Sequence, residues 1–274
     1  MDNIKMVVMD MDGTLLNSQN DVSPYTREVL IDLQKQGMPI VLASGRDISS
    51  LRNIGTKLDI ALYPMSAYIC LNGLEIYDSQ ENLLHRGERL SYEDTKDLCE
   101  LAKDYHLDIV IFFEKCIYTI EYGQTKIMEN HFLTSDRRYA KSLDEIPQEY
   151  FSHVKKVAYV QFADQMTDIL KQVSQDHRNH FDICKVEDDW VEISPLGINK
   201  GDALKTLANI KNIPLENMIC FGNGENDISM IKAAGISVAM GNAYENVKEQ
   251  ANHVCLDNNH DGIGDFLKNI AKLL

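Results

Sequence analysis

The chain opens on an apolar run, "IKMVVMD", with no polar position between Met6 and Met9. An unbroken run of this kind is the pattern of a strand buried on both faces. It gives way to "SPYTREVLIDLQKQG", where apolar residues return at helical spacing between a serine cap followed by proline and a closing glycine. The alternation continues with "MPIVLAS" as a second strand, "DISSLRNIGTKL" as a helix and "AYICLNG" as a third strand. The far end repeats the rhythm. "KGDALKTLANIKNI", "ENDISMIKAAG", "AYENVKEQA" and "DGIGDFLKNIAKLL" read as helices, and "NMICFG", "ISVAMG" and "HVCL" as strands. Buried strands separated by helices predict a parallel sheet with crossover helices, so the two ends read as pieces of one doubly wound, Rossmann-like α/β sheet.

The middle has another pattern. From about residue 85 to 188 the strands lengthen and alternate, as in "DIVIFFEKCIYTIEYG" and "KVAYVQFAD", with helices "SYEDTKDLCELAKDYH" and "QMTDILKQVSQDH" between them. This predicts an α+β domain over 85–188 inserted into a core made of 1–84 and 189–274. The joins fall in "SQENLLHRGE" and "VEDDWVEISP".

Charge narrows the partners. The net charge of -15 repels phosphate backbones over most of the surface, which argues against nucleic acid. A small anion needs a local cation to receive it. No apolar stretch approaches the ~18 residues of a membrane span. The first ten residues, with acids on both sides of an apolar run, do not read as a secretory signal, so a cytoplasmic location is expected. The six cysteines are widely spaced with no CxxC pair, the pattern of buried reduced thiols rather than of disulfides or a zinc site. Oligomeric state has no signature in the sequence.

In an open α/β sheet, chemistry gathers beyond the carboxyl ends of the strands. The first strand ends in "DMDGTLL", where Asp10 and Asp12 stand two apart and so project to one side of an extended backbone. One reading is a capping and a solvated aspartate. The other is a divalent cation between two carboxylates, since hard cations take oxygen ligands. The second strand ends in Ser44, Gly45 and Arg46. This is either a plain strand–helix turn or a hydroxyl and a close backbone approach before a helix start, where free N–H groups favour anions. Lys200, in "GINKGDAL", is either a solvated side chain or the cation that an anionic substrate requires. "GNGENDISM" at 222–230 supplies Asn223, Asn226 and Asp227 after another apolar run. It reads as a helix start with favourable acids or as further oxygen ligands. "DNNHD" at 257–261 is polar enough to rim a site or to form a solvated turn.

In their order and placement these motifs resemble the haloacid dehalogenase superfamily of aspartate-nucleophile phosphatases. Within it the chain is similar to the Cof-type hydrolases, whose large α/β cap follows the third core strand. The match runs from residue 4 onward and includes "LNG" at 71–73, which places Asn72 with Arg46 in the cleft. The family's last motif normally reads GDxxND; Asn223 stands where its metal-binding aspartate is expected. Ser44 stands where threonine is commoner.

The resemblance implies an Mg2+-dependent phosphatase of small phosphorylated metabolites, sugar phosphates first among them. In this scheme Asp10 is the nucleophile and Asp12 the general acid–base. Ser44, Gly45, Lys200 and Asn226 bind the phosphoryl group. Magnesium is held by Asp10, Asp12, Asn223 and Asp227, with Glu225 or Asp227 offsetting the charge that Asn223 lacks. The inserted domain closes over the site and selects the substrate, with Glu114, Lys115, Tyr118, Glu121 and Trp190 as candidates. Two alternatives remain: a phosphomutase or phosphotransferase, and a catalytically weakened phospho-ligand-binding protein, which Asn223 would suit.

Overall fold

The structure is a computed structural model. It describes residues 3–123, 136–162, 164–166, 170–171 and 180–273. The described chain divides into two compact units, one formed by Met1–Gly87 with Asn199–Leu274 and the other by Glu88–Ile198.

The first unit is built on an eight-stranded sheet. Its strands are β1 (Met6–Asp10), β2 (Ile40–Ala43), β3 (Ala67–Cys70), β4 (Glu75–Asp78) and β5 (Leu83–Arg86) from the first segment. The second segment adds β12 (Met218–Gly222), β13 (Ile236–Ala239) and β14 (His253–Val254). The order is β14-β13-β12-β1-β2-β3-β4-β5. Six neighbours run parallel from β14 to β3, and β4 and β5 add an antiparallel edge. Chain order runs outward from β1 in both directions, so β1 sits at the point where the winding reverses, where such sheets place their ligands. Every residue of β1, β2, β3 and β12 is buried, which is why these strands read as continuous apolar runs.

The helices are α1 (Pro24–Lys35), α2 (Ile48–Lys57), α4 (Lys200–Lys211), α5 (Ile228–Ala233), α6 (Glu245–Lys248) and α7 (Gly262–Asp265). Ser23 caps α1 by accepting from the Thr26 N–H, with Pro24 first in the helix. α4 buries Ala203, Leu204 and Leu207 against Met6, Val8, Val41 and Cys220 of the sheet. Three elements are shorter than the periodicity predicts. α6 is one turn. α5 is preceded by a tight turn at Glu225–Asp227. The closing helix is one α-turn followed by a wider turn over Phe266–Ile270.

Two expected joins are strands. "SQENLLHRGE" carries β5, an exposed edge strand with Leu83–Arg86 outside the core, so it gives no burial pattern to detect. "VEDDWVEISP" carries the turn of a hairpin in the second unit, between β10 (Phe181–Glu187) and β11 (Trp190–Pro195). The expected boundary at 188/189 therefore falls inside that hairpin, and the unit runs to Ile198.

The second unit holds a six-stranded sheet with β6 (Asp108–Phe112), β7 (Ile117–Ile120), β8 (Arg137–Ala140) and β9 (Lys156–Val160), in the order β10-β11-β9-β6-β7-β8. All neighbours are antiparallel except β7 and β8. The apolar run "DIVIFFEKCIYTIEYG" is thus a hairpin rather than one strand. α3 (Tyr92–Asp104) begins with a reciprocal Ser91–Asp94 capping box. It packs Leu98, Cys99 and Ala102 with Ile109, Ile111, Val157, Tyr159, Val191 and Ile193. A second apolar cluster joins Val110, Ala158, Val160 and Trp190. Most of the predicted helix "QMTDILKQVSQDH" lies outside the described residues. No helix among the described residues is long and apolar enough to cross a membrane.

Candidate active site

The register of the parallel sheet assembles the site. Met9 pairs with Phe221 and Asp10 with Ala43, so Asp10, Ser44 and Asn223 leave three adjacent strands at the same end. Lys200, the first residue of α4, arrives behind them and is completely buried. Its Nζ donates to Asp10 Oδ1 at 2.6 Å and to Asp227 Oδ1 at 2.7 Å. One cation therefore faces two buried carboxylates. Burial, and then the charge of Asp227, push the Asp10 carboxyl up to about 7 against the pull of Lys200. Burial works against the Lys200 ammonium, but the two carboxylates outweigh it and hold its pKa above the ordinary lysine value.

Asp227 is also tied into the protein. Its Oδ2 accepts the N–H groups of Asn223 at 2.9 Å and Gly224 at 3.0 Å, and its Oδ1 accepts from Lys200. It anchors both the turn and the lysine, and Oδ1, which accepts from Lys200, keeps a lone pair for a metal or its water. Gly222 makes this possible: a side chain there would place its Cβ 2.5 Å from Asp227 Cβ. Glu225 is exposed and accepts from Asn246 Nδ2 at 2.9 Å, so it does not supply the charge that Asn223 lacks.

Asp12 turns its carboxylate outward to Arg46, which holds it bidentately at 2.9 and 2.5 Å. Arg46 is thus tied to the second aspartate rather than standing free on a rim. Ser44 is buried, and its Oγ accepts the Arg46 N–H at 3.2 Å. The helix start expected after this turn is already satisfied, because α2 begins at Ile48 and the Asp47 carboxylate accepts from Ser50 N. The Ser44 N–H is itself used within the sheet, donating to Ile69 O at 2.9 Å. Asn72, at φ 53°, ties the third strand end to the second, its N–H donating to Ser44 O at 3.0 Å. Its Oδ1 accepts from Asn226 Nδ2 at 3.3 Å. Both asparagines are placed beside the Ser44–Gly45 turn, the Asn72 amide coming 3.2 Å from the position a Gly45 Cβ would take.

The Asn223 amide points between the two aspartates. With its oxygen inward, Thr14 Oγ1 donates to it at 2.7 Å, but the Asp12 carbonyl and Asp10 Oδ2 then face another acceptor. With its nitrogen inward it donates to Asp12 O at 2.8 Å and to Thr14 Oγ1 at 2.7 Å, and it reaches Asp10 Oδ2 at 3.3 Å. Among protein atoms alone the hydrogen bonds favour the second orientation. Gly13, at φ 72°, passes so close that a Cβ there would lie 2.6 Å from Asn223 Nδ2.

Residues not singled out individually from the sequence complete the loop. Asn242 Nδ2 donates to Gly13 O at 2.8 Å, Asn258 Nδ2 to Leu16 O at 2.7 Å, and Ser18 N to Asn259 Oδ1 at 2.9 Å. Asn258 N in turn donates to Asn242 Oδ1 at 3.3 Å. The "DNNHD" segment is therefore a strap across the stretch that follows Asp12. Its signal in sequence was polarity alone.

Of the candidates in the second unit, Tyr118 and Trp190 are buried. Tyr118 packs edge-on against Phe113, and Trp190 against Phe112. Glu114 pairs with Arg89 at 2.7 Å and Lys155 at 3.6 Å.

The profile of the haloacid dehalogenase-like hydrolases matches residues 7–267 of this chain. The chain belongs to that family. It is an enzyme of the phosphatase kind. The phosphatase YwpJ of Bacillus subtilis is 28% identical over 97% of this chain and 100% of its own length. The 5-amino-6-(5-phospho-D-ribitylamino)uracil phosphatase YcsE of the same organism is 28% identical over 97% of this chain and 95% of its own. The crystal structure of a haloacid dehalogenase-like hydrolase from Bacteroides thetaiotaomicron is 30% identical, with a TM-score of 0.78 over 97% of this chain and 99% of that one.

A divalent metal, which this family implies, can be tested against the donors present. Among the described residues no group of three His, Cys, Asp or Glu side chains forms a cage. The Asp10 carboxylate and the Asp12 carbonyl meet beside the Asn223 amide, which adds a third oxygen only in the orientation that turns its nitrogen away. An all-oxygen set of low charge fits a hard cation that keeps several of its waters.

Proposed function

We propose that this hydrolase removes phosphate from small phosphorylated metabolites, with magnesium at the Asp10–Asp12–Asn223 oxygens. The observation that carries the reading is the buried Asp10 carboxylate held by Lys200 at the reversal point of the sheet. A carboxylate that burial keeps from water is a poor structural element and a good nucleophile once a substrate arrives.

Asp10 attacks phosphorus and forms an aspartyl-phosphate, and the leaving oxygen departs with a proton from Asp12. Asp12 then takes a proton from the water that hydrolyses the intermediate, a role worth typically ~10²–10⁴ in rate. Arg46 holds Asp12 in its ionised form through a two-pronged contact, which Asp12 leaves to carry the proton. Lys200, Ser44 and the Gly45 backbone receive the phosphoryl oxygens, and Asn72 and Asn226 steady that turn. Magnesium, when bound, neutralises charge on the phosphoryl group and shields it from Asp10. The substrate class is supported by the one buried lysine of this site, Lys200, which suits one phosphate on a small molecule. It accords with the phosphorylated ribityl compound in the name of the relative YcsE. Sugar and polyol phosphates are the first to try.

The test is phosphate release from a panel of phosphorylated metabolites, with and without magnesium, for the wild type and Asp10→Asn. The expected result is magnesium-dependent release that falls at least ~10³-fold in the variant. Release that survives in Asp10→Asn removes the nucleophile assignment, and phosphate passed to a second sugar instead of water makes the enzyme a transferase.

A further inference from the structure

We infer that Asn223 is a built-in substitute for the cation: its amide nitrogen occupies the point where the site's oxygens converge, and metal enters only when the amide turns over. This rests on the proposed metal reading and extends it. Three acceptors aim at one spot, namely Asp12 O, Thr14 Oγ1 and Asp10 Oδ2, and the Asn223 nitrogen meets them at 2.8, 2.7 and 3.3 Å. A cluster of acceptors with no donor would be costly in a half-buried site, and the amide supplies the donors. The Asn223 backbone does not have to move, because its N–H is fixed to Asp227 Oδ2. A half-turn of the side-chain amide exchanges the nitrogen for the oxygen and converts a hydrogen-bond donor into a cation ligand.

Two consequences follow from the one geometry. The metal-free protein is stabilised, since the amide answers the Asp10 carboxylate and the Asp12 carbonyl. Metal affinity is lowered, since only the turned-over fraction can bind. An aspartate at 223 inverts both. It can accept from the Thr14 hydroxyl but has no hydrogen to give the Asp12 carbonyl or Asp10 Oδ2, and it adds a carboxylate beside Asp10, so its fold leans on the cation, which it then binds with more charge.

The experiment compares wild type and Asn223→Asp after chelation, by thermal melting with and without magnesium and by calorimetric titration of magnesium alone. Without magnesium the variant is expected to melt lower by ~4 °C or more. With saturating magnesium the gap closes or reverses, and the variant binds magnesium at least ~10-fold tighter. A metal-free variant as stable as the wild type overturns the inference, as does unchanged or weaker magnesium affinity. If Asn223→Asp does not fold without metal, Asp10→Asn/Asn223→Asp carries the test: removing the facing charge must restore most of the lost melting temperature, and failure to do so also overturns it. Because no substrate is involved, these outcomes are independent of phosphate release, so a failed substitute and a failed phosphatase reading are told apart.

Discussion

Among the described residues two lysines are buried, one in each unit, and they are used in opposite ways. Lys156 lies mid-sheet in the second unit and pairs with Glu192 on the second strand of that neighbourhood, with the Phe112 ring 4.8 Å from its ammonium. Glu192 Oε1 also accepts from Trp190 Nε1 at 3.3 Å. There the cation sits beside an anion with Phe112 and Trp190 close by. Lys200 instead stands at a strand end between two carboxylates, leaving an uncancelled negative charge next to the surface-facing Asp12. The balanced pair is architecture. The unbalanced triad is held together by the fold at the fold's expense, and that imbalance is what supports reading it as the proposed reaction centre.

The sharpest way to break this comparison is to remove each cation. Lys200→Met leaves Asp10 and Asp227 facing each other in a dry site and is expected to lower stability by about 3–5 kcal/mol in denaturant titrations. Replacing the other pair together, Lys156→Met/Glu192→Met, is expected to be neutral or stabilising by up to about 4 kcal/mol, because no charge is left alone. Equal losses from both replacements would end the distinction. A smaller effect is expected at the rim. Arg46→Ala should lower kcat by about 10–100-fold with little change in melting temperature. Arg46→Lys should recover only part of it, since an ammonium cannot hold a carboxylate with two prongs. Full recovery in the lysine variant would reduce Arg46 to a nearby charge.

The smallest expected effect concerns pH. The Asp10 carboxyl is harder to ionise in the folded, metal-free chain than in the unfolded one. Between its unfolded value near 4 and its folded value near 7 the native state holds the extra proton, so this group's stabilising contribution is present in acid and is lost as pH rises through that window. Melting curves of the chelated protein from pH 5 to 8 should show it, and Asp10→Asn should flatten it. A decline of the same size in Asp10→Asn would assign it to other groups.

Much of this was legible because the relevant strands are buried on both sides. "MVVM", "IVLA" and "MICF" carry no polar interruption, and the sheet rule then names the residues that follow them. Asp10, Ser44 and Asn223 were found by position, not by chemistry. What was not legible depends on the paths of side chains. Nothing local tells that Arg46 reaches Asp12, or that Asp227 turns to the backbone of 223 and 224. β5 could not be seen because an edge strand with both faces in water has no burial period. Asn242 and Asn258 are neutral amides in loops, and their partners lie 229 and 242 residues away.

Those distances set an order of events at the ribosome. The Gly13 and Leu16 carbonyls and the Ser18 N–H are made more than two hundred residues before the asparagines that hold them. At ~5–20 residues per second the wait is roughly 10–50 s. The contiguous stretch from Glu88 to Ile198 is complete before it ends. The nascent chain thus carries the loop after Asp12 without these fastenings until residues 242–259 are made, and a chain cut short before residue 242 lacks all three.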